Sequence, residues 1–373
     1  MKIGLVIFRA DPTRGGAERY TADLAVALAA RGHSVALISS EFGLSIPGIS
    51  FIELAKRAPT RLGRYTRFLD ALDSHLQASN YDIMHAMLPV RRCDIYHPHA
   101  GLARENLEAR VVNRLNGIRR RFASVENDLV TGGSGPIVLC LSDYVKASVA
   151  RHYPGIEPRL EKLFNAVDLQ RFDPEKASNA GDTVRRQFSI SDDAIVGLMI
   201  AQDFVRKGLP AAIEAIAKTG RNSGQPELKL LVVGKQDPSP YARQARSLGV
   251  EDRIIFCGST AAPADFYRAA DFFVLPTKHD PCSLVVLEAL AMGLPVISTV
   301  FNGACEIMRD GEHGFVLQDP ADVPGISSAM TAMFDSSRRD LMRQACLALR
   351  PSLSFEAHVD HLERIYATRR VPG

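Results

Sequence analysis

Residues 272–299 read FFVLPTKHDPCSLVVLEALAMGLPVIST, a stretch in which two apolar runs flank a helical pattern. Phe272–Leu275 and Pro295–Thr299 have the length and continuous apolar character of strands that are buried on both faces. Between them Ser283 is a candidate N-cap, and a glycine followed by Leu-Pro is typical of a helix that has just ended. The pattern therefore predicts a helix over about Leu284–Met292 and, with its flanking strands, a β-α-β unit of a parallel sheet.

The same alternation continues along the chain in both directions from this stretch. Further strand candidates are Ile3–Phe8, Ser34–Ser39, Tyr81–His85, Ile137–Leu141, Ile195–Ile200, Leu228–Val233 and Arg253–Phe256. Helical patterns between and after them include Ala17–Arg31, Leu209–Thr219, Tyr241–Leu248 and Phe355–Thr368. Two such series predict an α/β protein with two doubly wound, Rossmann-like domains. The alternation lapses into a polar, Pro-bearing stretch at Asn165–Ala194, which predicts the domain boundary.

Composition narrows the class of protein. The 373 residues are 46% hydrophobic and 23% charged, which suits two ordinary domains with large cores. The formal net charge of +3 is too small to indicate a nucleic-acid partner. Six cysteines without paired spacing favour a reducing compartment over disulfides or a zinc site. No apolar run reaches the roughly 18 residues of a membrane span, so we expect a cytoplasmic protein.

The predicted helix after Ser283 offers a candidate phosphate site. Its first N–H groups, from Ser283, Leu284 and Val285, have no partner within the helix and suit a diphosphate. Glu288, a little over one turn further on, can reach a pair of hydroxyls such as those of a ribose. The alternative is a capped core helix with one surface carboxylate, which leaves the second acid beside the helix start, Asp280, unexplained.

Two other segments stand where a strand ends and a helix begins. Arg206-Lys207-Gly208 supplies adjacent cations that would neutralise a leaving diphosphate, although such a pair taken alone is usually a solvated loop. Gly15-Gly16 would let backbone N–H groups approach an anion, and the alternative is an ordinary turn. The chain has no GxGxxG motif and no Walker A lysine, so the pattern supports neither a dinucleotide site nor a P-loop.

Together these motifs resemble the retaining GT-B glycosyltransferases of family 4. The markers in chain order are Gly15-Gly16-Ala17-Glu18-Arg19, Asn165-Ala166-Val167-Asp168 with Phe172 and Pro174, Arg206-Lys207-Gly208, Val232-Val233-Gly234, Asp280 with Glu288, and Asn302-Gly303-Ala304-Cys305-Glu306 with Asp310, Gly311 and Gly314. Within the family the chain is similar to the lipopolysaccharide core glucosyltransferase I enzymes, through Asp203-Phe204 and Leu231–Lys235. The resemblance implies two Rossmann-like domains facing a cleft. Residues 1–165 would form the acceptor domain, a C-terminal helix at about 355–373 would cross back to it, and residues 166–354 would hold the donor.

The resemblance also implies roles for single residues. Arg206 and Lys207 would bind the diphosphate, Leu284 and Val285 amides the phosphate, Glu288 the ribose and Asp280 the sugar hydroxyls, with Cys282 and Ser283 near the sugar and Gly15 and Gly16 closing on the pyrophosphate. No metal and no cofactor would be needed, because cations and a helix terminus supply the positive charge. The chain departs from the family at Asp280, usually glutamate, and at Cys282-Ser283, where a Phe-Gly pair is common.

Two features point to the acceptor side. The family often has a histidine near the anomeric carbon, and we assign that catalytic role to His99, acting through a hydrogen bond or its backbone carbonyl. The alternative is a loop histidine with a structural hydrogen bond. Arg104–Arg121 carries six arginines among apolar residues at three- and four-residue spacing, which predicts one amphipathic basic helix. It would dock on an anionic membrane or an acidic acceptor, or simply be a solvated helix packed by its apolar stripe.

Taken together, these expectations predict that the protein is a metal-independent, retaining transferase at the inner face of the cell membrane. It would move a hexose, glucose, from a UDP-sugar to the lipopolysaccharide core or another lipid-linked glycan. No carboxylate can be assigned as a nucleophile, so same-face attack is the expected route to retention. The alternatives are a UDP-sugar 2-epimerase of the same fold and a non-catalytic sugar-nucleotide-binding protein. A nucleic-acid-binding protein is disfavoured by the low net charge and the absence of tryptophan.

Overall fold

The computed structural model describes the chain except residues 14, 44, 55–57, 100, 109–110, 177–178, 221–225 and 370–373. Arg110, in the arginine-rich stretch above, and the last four residues of the predicted C-terminal segment 355–373 therefore lie outside the described residues. The chain divides into two compact units, residues 1–165 with 355–373, and residues 166–354. Each unit contains one wholly parallel sheet with helices between its strands, which confirms the predicted doubly wound α/β class.

Within the described residues, the first unit has seven strands in the order β3-β2-β1-β4-β5-β6-β7. They are β1 (Lys2–Val6), β2 (Ser34–Ser39), β3 (Ser50–Glu53), β4 (Ile83–Ala86), β5 (Ile95–Tyr96), β6 (Ile137–Cys140) and β7 (Leu160–Lys162). Its helices are α1 (Gly16–Ala30), α2 (Arg61–Ala78), α3 (Ala103–Glu108), α4 (Val111–Arg114), α5 (Gly117–Thr131), α6 (Asp143–His152) and, from the end of the chain, α15 (Phe355–Ala367). The strand order reverses direction between β1 and β4, which is the switch point of the sheet.

Helix α15 completes the core of the first unit. Its buried side chains recur at one- to four-residue spacing and include His358, Val359, Leu362 and Tyr366, which gives the helix one apolar face. Val359 and Leu362 belong to the same buried cluster as Leu5 of the central strand β1. The last helix of the chain is therefore a core element of the N-terminal unit.

In the part of the second unit that the structure describes, six strands follow the order β10-β9-β8-β11-β12-β13. They are β8 (Ile195–Ile200), β9 (Leu228–Val233), β10 (Ile254–Gly258), β11 (Phe272–Leu275), β12 (Val296–Thr299) and β13 (Gly314–Leu317). Its helices are α7 (Ala180–Gln187), α8 (Leu209–Lys218), α9 (Ser239–Ser247), α10 (Pro263–Ala269), α11 (Leu284–Ala291), α12 (Val323–Ala332), α13 (Ser336–Ala348) and α14 (Arg350–Leu353). The switch point lies between β8 and β11.

The stretch at 272–299 folds as its pattern predicts. Strands β11 and β12 pair in parallel, with Phe273 opposite Val296, and α11 connects them. The helix ends one residue earlier than expected, and Gly293 follows it at φ +78°, a left-handed conformation that glycine adopts without strain.

The arginine-rich stretch differs from its prediction. Arg104–Arg121 is not one helix but spans α3, α4 and the start of α5. The break has a local cause, because the Asn116 side chain accepts a hydrogen bond from the Arg119 amide (3.3 Å) and starts α5 there. Leu115, just before this cap, is 83% exposed and so is not part of a packed apolar stripe. Among the described helices, none is both long and apolar enough to cross a bilayer.

Candidate functional site

Two loops meet at the switch point of the second sheet. One follows β8 and carries Arg206 and Lys207, and the other follows β11 and carries Asp280, so both leave the carboxyl edge where such sheets bind ligands. Gly208 lies at φ +84°, and a Cβ there would collide with the carbonyl oxygen of Pro276. Only glycine therefore allows the two loops to approach this closely.

The buried pair at the centre of this edge consists of Lys207 and Asp280. The Lys207 ammonium donates to the Asp280 carboxylate, and the two residues are 9% and 8% exposed. Burial lowers the pKa of Lys207, and the neighbouring Asp280 opposes that shift. From the resemblance we expected these residues to contact separate parts of a ligand, whereas here each neutralises the charge of the other.

The loop around Asp280 is fixed by its backbone. The Asp280 amide donates to the Phe301 carbonyl (2.9 Å), and its carbonyl accepts from the Gly303 amide (3.0 Å). These bonds attach the acid to the residues after β12, so its position is set by the sheet. The carboxylate is consequently preorganised at the start of α11.

Helix α11 begins directly after this loop. Ser283 is the N-cap residue by backbone conformation, but its side chain makes no capping hydrogen bond. The Ser283 amide, expected to be available to a phosphate, instead donates to Oδ1 of Asn302 (3.2 Å). In the part of the chain that the structure describes, the amides of Leu284 and Val285 have no acceptor. Two of the three predicted donors are therefore available to an anion.

Asn302 received no role from the sequence, although it belongs to one of the family markers. It is 1% exposed, and its Oδ1 accepts from both the Ser283 and Ala304 amides (3.2 Å each). Its Nδ2 donates to Oγ of Ser298 (3.2 Å). Asn302 thus joins the start of α11 to β12, and its place before a short 3-10 turn was the available sequence signal.

Arg206 has its backbone fixed and its side chain partly in solvent. Oγ1 of Thr277, after β11, donates to the Arg206 carbonyl (3.1 Å), which ties the two loops together. The guanidinium donates to the His279 carbonyl (3.0 Å) and lies 3.5 Å from an Asp203 oxygen, with 42% of the side chain exposed. This cation is therefore positioned near the loop that carries Asp280 but remains accessible.

Glu288 and Cys282 complete the predicted set in this unit. Glu288 is half-buried, and one carboxylate oxygen accepts a hydrogen bond from the Tyr267 hydroxyl (2.8 Å). Burial and the neighbouring Glu288 raise the pKa of Tyr267 well above its ordinary value. Cys282 is 5% exposed, so its side chain belongs to the packed base of the loop.

The glycine pair stands at the carboxyl edge of the first sheet. Gly15 is the extended N-cap residue of α1, and Gly16 is its first helical residue. A Cβ on Gly15 would lie only 2.9 Å from a carboxylate oxygen of Glu18, an acid in the first turn. The negative charge expected at such a helix terminus is thus partly supplied by the chain itself.

His99 lies in a cluster of histidines within the first unit. Its ring centroid is 4.6 Å from that of His97 and 4.2 Å from that of Tyr20. Its Nε2 is buried and has no hydrogen-bond partner among the described residues, so the structural hydrogen bond of the alternative interpretation is not seen at that atom. Burial lowers the pKa of His99 to about 3, and the ring is neutral at pH 7.

The described residues contain no cluster of side chains suited to binding a metal ion. No group of three or more histidine, cysteine, aspartate or glutamate side chains is arranged there to hold an ion. Positive charge at the second switch point is supplied by Arg206 and by the first turn of α11, beside the Lys207–Asp280 ion pair. This combination of side-chain cations and a helix terminus is suited to a nucleotide diphosphate.

Two family models match the chain. The model described as Glycosyltransferase Family 4 matches residues 14–171, and that described as Glycosyl transferases group 1 matches residues 194–336. The lipopolysaccharide glucosyltransferase WaaG of Escherichia coli (strain K12) is 26% identical over 309 residues, which is 82% of each protein. The sequence similarity therefore extends over most of both proteins.

Solved structures share the fold over nearly the whole chain. The crystal structure of WaaG, a glycosyltransferase involved in lipopolysaccharide biosynthesis, matches with a TM-score of 0.82 and 23% identity, covering 97% of this chain and 99% of that one. Anabaena Alr3699/HepE in complex with UDP-glucose matches with a TM-score of 0.77 and 18% identity, covering 99% and 100%. These likenesses confirm the two-domain GT-B fold.

Proposed function

Since this chain belongs to the glycosyltransferases of family 4 and group 1, we propose that it transfers glucose from UDP-glucose to a glycan hydroxyl. The acceptor we propose is the lipopolysaccharide core or another lipid-linked glycan. Two comparisons support these choices: WaaG is a lipopolysaccharide glucosyltransferase, and HepE has been solved with UDP-glucose. We further propose that the anomeric configuration is retained and that no metal or cofactor takes part.

The observation that carries this proposal is the buried Lys207–Asp280 pair beside the first turn of α11. A diphosphate placed on the Leu284 and Val285 amides would lie at the positive end of that helix. Its charge would draw the Lys207 ammonium away from Asp280, whose carboxylate would then accept hydrogen bonds from the sugar hydroxyls. Donor binding in this proposal replaces one internal ion pair by two contacts to the ligand.

The reaction we propose is same-face substitution at the anomeric carbon. The bond from that carbon to the diphosphate oxygen breaks, and a new bond forms to the acceptor oxygen. The acceptor proton passes to the departing phosphate, so UDP leaves with the electron pair of the broken bond. Stabilising the developing negative charge is the work of Lys207, Arg206 and the helix terminus, and one such donor is worth about 3 kcal/mol.

Residues of the first unit have proposed roles on the same reaction. We assign Gly15 and Gly16 to the pyrophosphate, because both stand at a helix N-terminus on the carboxyl edge of their sheet. We assign to His99 a hydrogen bond, or its backbone carbonyl, near the anomeric carbon. An imidazole with a pKa of about 3 remains uncharged at pH 7, so it would not compete as an acid.

The arginine-rich stretch has a proposed role in docking. Leu115 is an exposed apolar side chain, and Arg114, Arg119 and Arg120 are close to it in sequence. Arginines beside an exposed leucine suit the anionic surface of a membrane, where each basic residue is worth roughly 1 kcal/mol. We propose that this segment brings the protein to the inner face of the cell membrane, where a lipid-linked acceptor would lie.

The test begins with binding and ends with transfer. UDP and UDP-glucose should raise the melting temperature equally well with and without EDTA. At a ligand concentration one hundred times Kd, binding adds about 2.7 kcal/mol to the free energy of unfolding. Labelled glucose should then appear on a lipopolysaccharide core acceptor with its anomeric configuration retained. An absolute magnesium requirement would contradict the metal-independent site. Acceptor-independent conversion of the donor would identify an epimerase instead, and binding without any turnover a non-catalytic protein.

A further inference from the structure

One buried hydroxyl contacts two separate parts of α11. Oη of Tyr267, on α10, lies 2.8 Å from Oε2 of Glu288 and 3.0 Å from the carbonyl oxygen of Val285. Val285 belongs to the turn whose amides face the proposed phosphate, and Glu288 is the carboxylate proposed for the ribose. The same side chain therefore touches the elements of both subsites.

The position of this hydroxyl is fixed by packing. Tyr267 is 1% exposed, and its ring makes an edge contact with Phe172 (5.8 Å between centroids, 79°). It also packs against Phe273 of β11 at 5.9 Å. With its ring fixed by these contacts, the phenol cannot follow Glu288 if that side chain rotates, so the carboxylate must adapt to the phenol.

We propose that Tyr267 is a positioning residue that holds the Glu288 carboxylate for a ribose diol. This inference rests on the proposed function and deepens its donor site. A glutamate side chain has several rotatable bonds, and a fixed donor to one oxygen restricts them before ligand arrives. The phenol stays protonated, so it orients Glu288 without cancelling the negative charge that strengthens hydrogen bonds from the two hydroxyls.

The inference predicts that Tyr267 governs discrimination between nucleotides with and without ribose hydroxyls. The variant is Tyr267→Phe, and the probes are UDP and 2′,3′-dideoxy-UDP, titrated calorimetrically. The intact protein should prefer UDP, and the variant should lose at least fivefold of that preference while its affinity for dideoxy-UDP stays within twofold. Glu288→Gln should lose the preference as well.

A matched control separates positioning from general stability. Tyr65, in the first unit, is also buried and donates its hydroxyl to a backbone carbonyl, that of Pro89 (2.6 Å). Tyr65→Phe removes the same atom and should leave the preference for UDP unchanged, whatever it does to the melting temperature. If Tyr65→Phe reduced the preference as much as Tyr267→Phe, the assigned role would be wrong.

The outcomes of the titration are distinguishable. If Tyr267→Phe weakens the binding of both probes equally, or changes the binding of neither, the positioning role is overturned. UDP binding by the intact protein would in that case still support the proposed function. Failure of the intact protein to bind either probe overturns the proposed function, and the inference with it. If the preference for UDP over dideoxy-UDP falls in Tyr267→Phe and Glu288→Gln but not in Tyr65→Phe, the result supports both the inference and the proposed function.

Discussion

Acid should destabilise the first unit through its buried histidines. His85 and His97 are 0% exposed and stack at 5.4 Å, and His358 of α15 is hydrogen-bonded to the Tyr20 hydroxyl (2.7 Å). Burial lowers the pKa of His85 to about 3 and of His358 to about 4, and it lowers the pKa of His97 well below its ordinary value. His99, which packs against His97, has its pKa lowered by burial to about 3 as well. All four histidines are therefore neutral in the folded chain at pH 7, whereas in the unfolded chain they titrate near 6.5.

The sign and size of the effect follow from proton linkage. Below about pH 6.5 the unfolded chain binds protons that the folded chain cannot, so this stability is fully present above that pH and is lost as pH falls towards 4. One histidine contributes at most about 1.4 kcal/mol per pH unit. For His85 and His99, whose folded pKa is about 3, the combined loss by pH 4.5 is about 5 kcal/mol. That loss is a large fraction of the stability of a typical domain.

His97→Phe isolates one of these protons. Both ring nitrogens of His97 are buried without a partner among the described residues, so phenylalanine keeps the shape and removes only an unpaired polar group. The free energy of unfolding should depend less steeply on pH below about pH 6.5, by at most the one-proton limit of about 1.4 kcal/mol per pH unit. Urea unfolding followed by circular dichroism measures it, with the partly exposed His361, replaced by glutamine, as control. Parallel curves for the wild type and His97→Phe would falsify the linkage.

Three further predictions concern the proposed donor and membrane sites. Lys207→Ala should abolish most turnover and also destabilise folding by about 3–5 kcal/mol, because it leaves Asp280 buried without its cation. Lys207→Met combined with Asp280→Leu should restore the melting temperature but not turnover, and unchanged turnover in Lys207→Ala would remove this residue from the mechanism. Asp280→Asn should keep near-normal affinity for UDP and lose transfer, since a hydrogen bond to a charged group is worth about 1.5–3 kcal/mol; equal losses for UDP and UDP-glucose would contradict sugar recognition. Replacing Arg119, Arg120 and Arg121 by glutamate should reduce sedimentation with anionic vesicles while UDP binding persists, and undiminished sedimentation would make the segment structural.

The central strands could be predicted from the sequence because burial on both faces makes them continuously apolar. Ser34–Ser39, Ile195–Ile200, Leu228–Val233 and Phe272–Leu275 have the bounds predicted for them. Among the edge strands of the two described sheets, β3, β7 and β13 were not predicted, whereas β10 was. The three missed strands are short and partly exposed, so their sequences lack the apolar run that identifies a buried strand.

The hydrogen-bond and ion-pair partners of the site residues were less predictable from the sequence than the positions of those residues in the fold. The order of motifs along the chain was enough to assign Lys207 and Asp280 to strand ends, but the ion pair joins residues 73 positions apart and depends on tertiary structure. The Tyr267–Glu288 contact was missed for the same reason. The prediction of one helix for the arginine-rich stretch failed for another reason. The apolar spacing continues past Asn116, but the Asn116 side chain caps the start of a new helix. Periodicity alone does not register such a cap.

The place of α15 has a consequence for synthesis. Strands β1 to β7 leave the ribosome early, yet Val359 and Leu362, which fill part of their core, come only after all of residues 166–354. At ordinary rates of translation that interval is roughly 10–40 s. Until then the buried cluster that contains Leu5 and Tyr20 lacks the side chains of Val359 and Leu362. The core of the N-terminal unit can therefore be completed only after residues 166–354 have been synthesised.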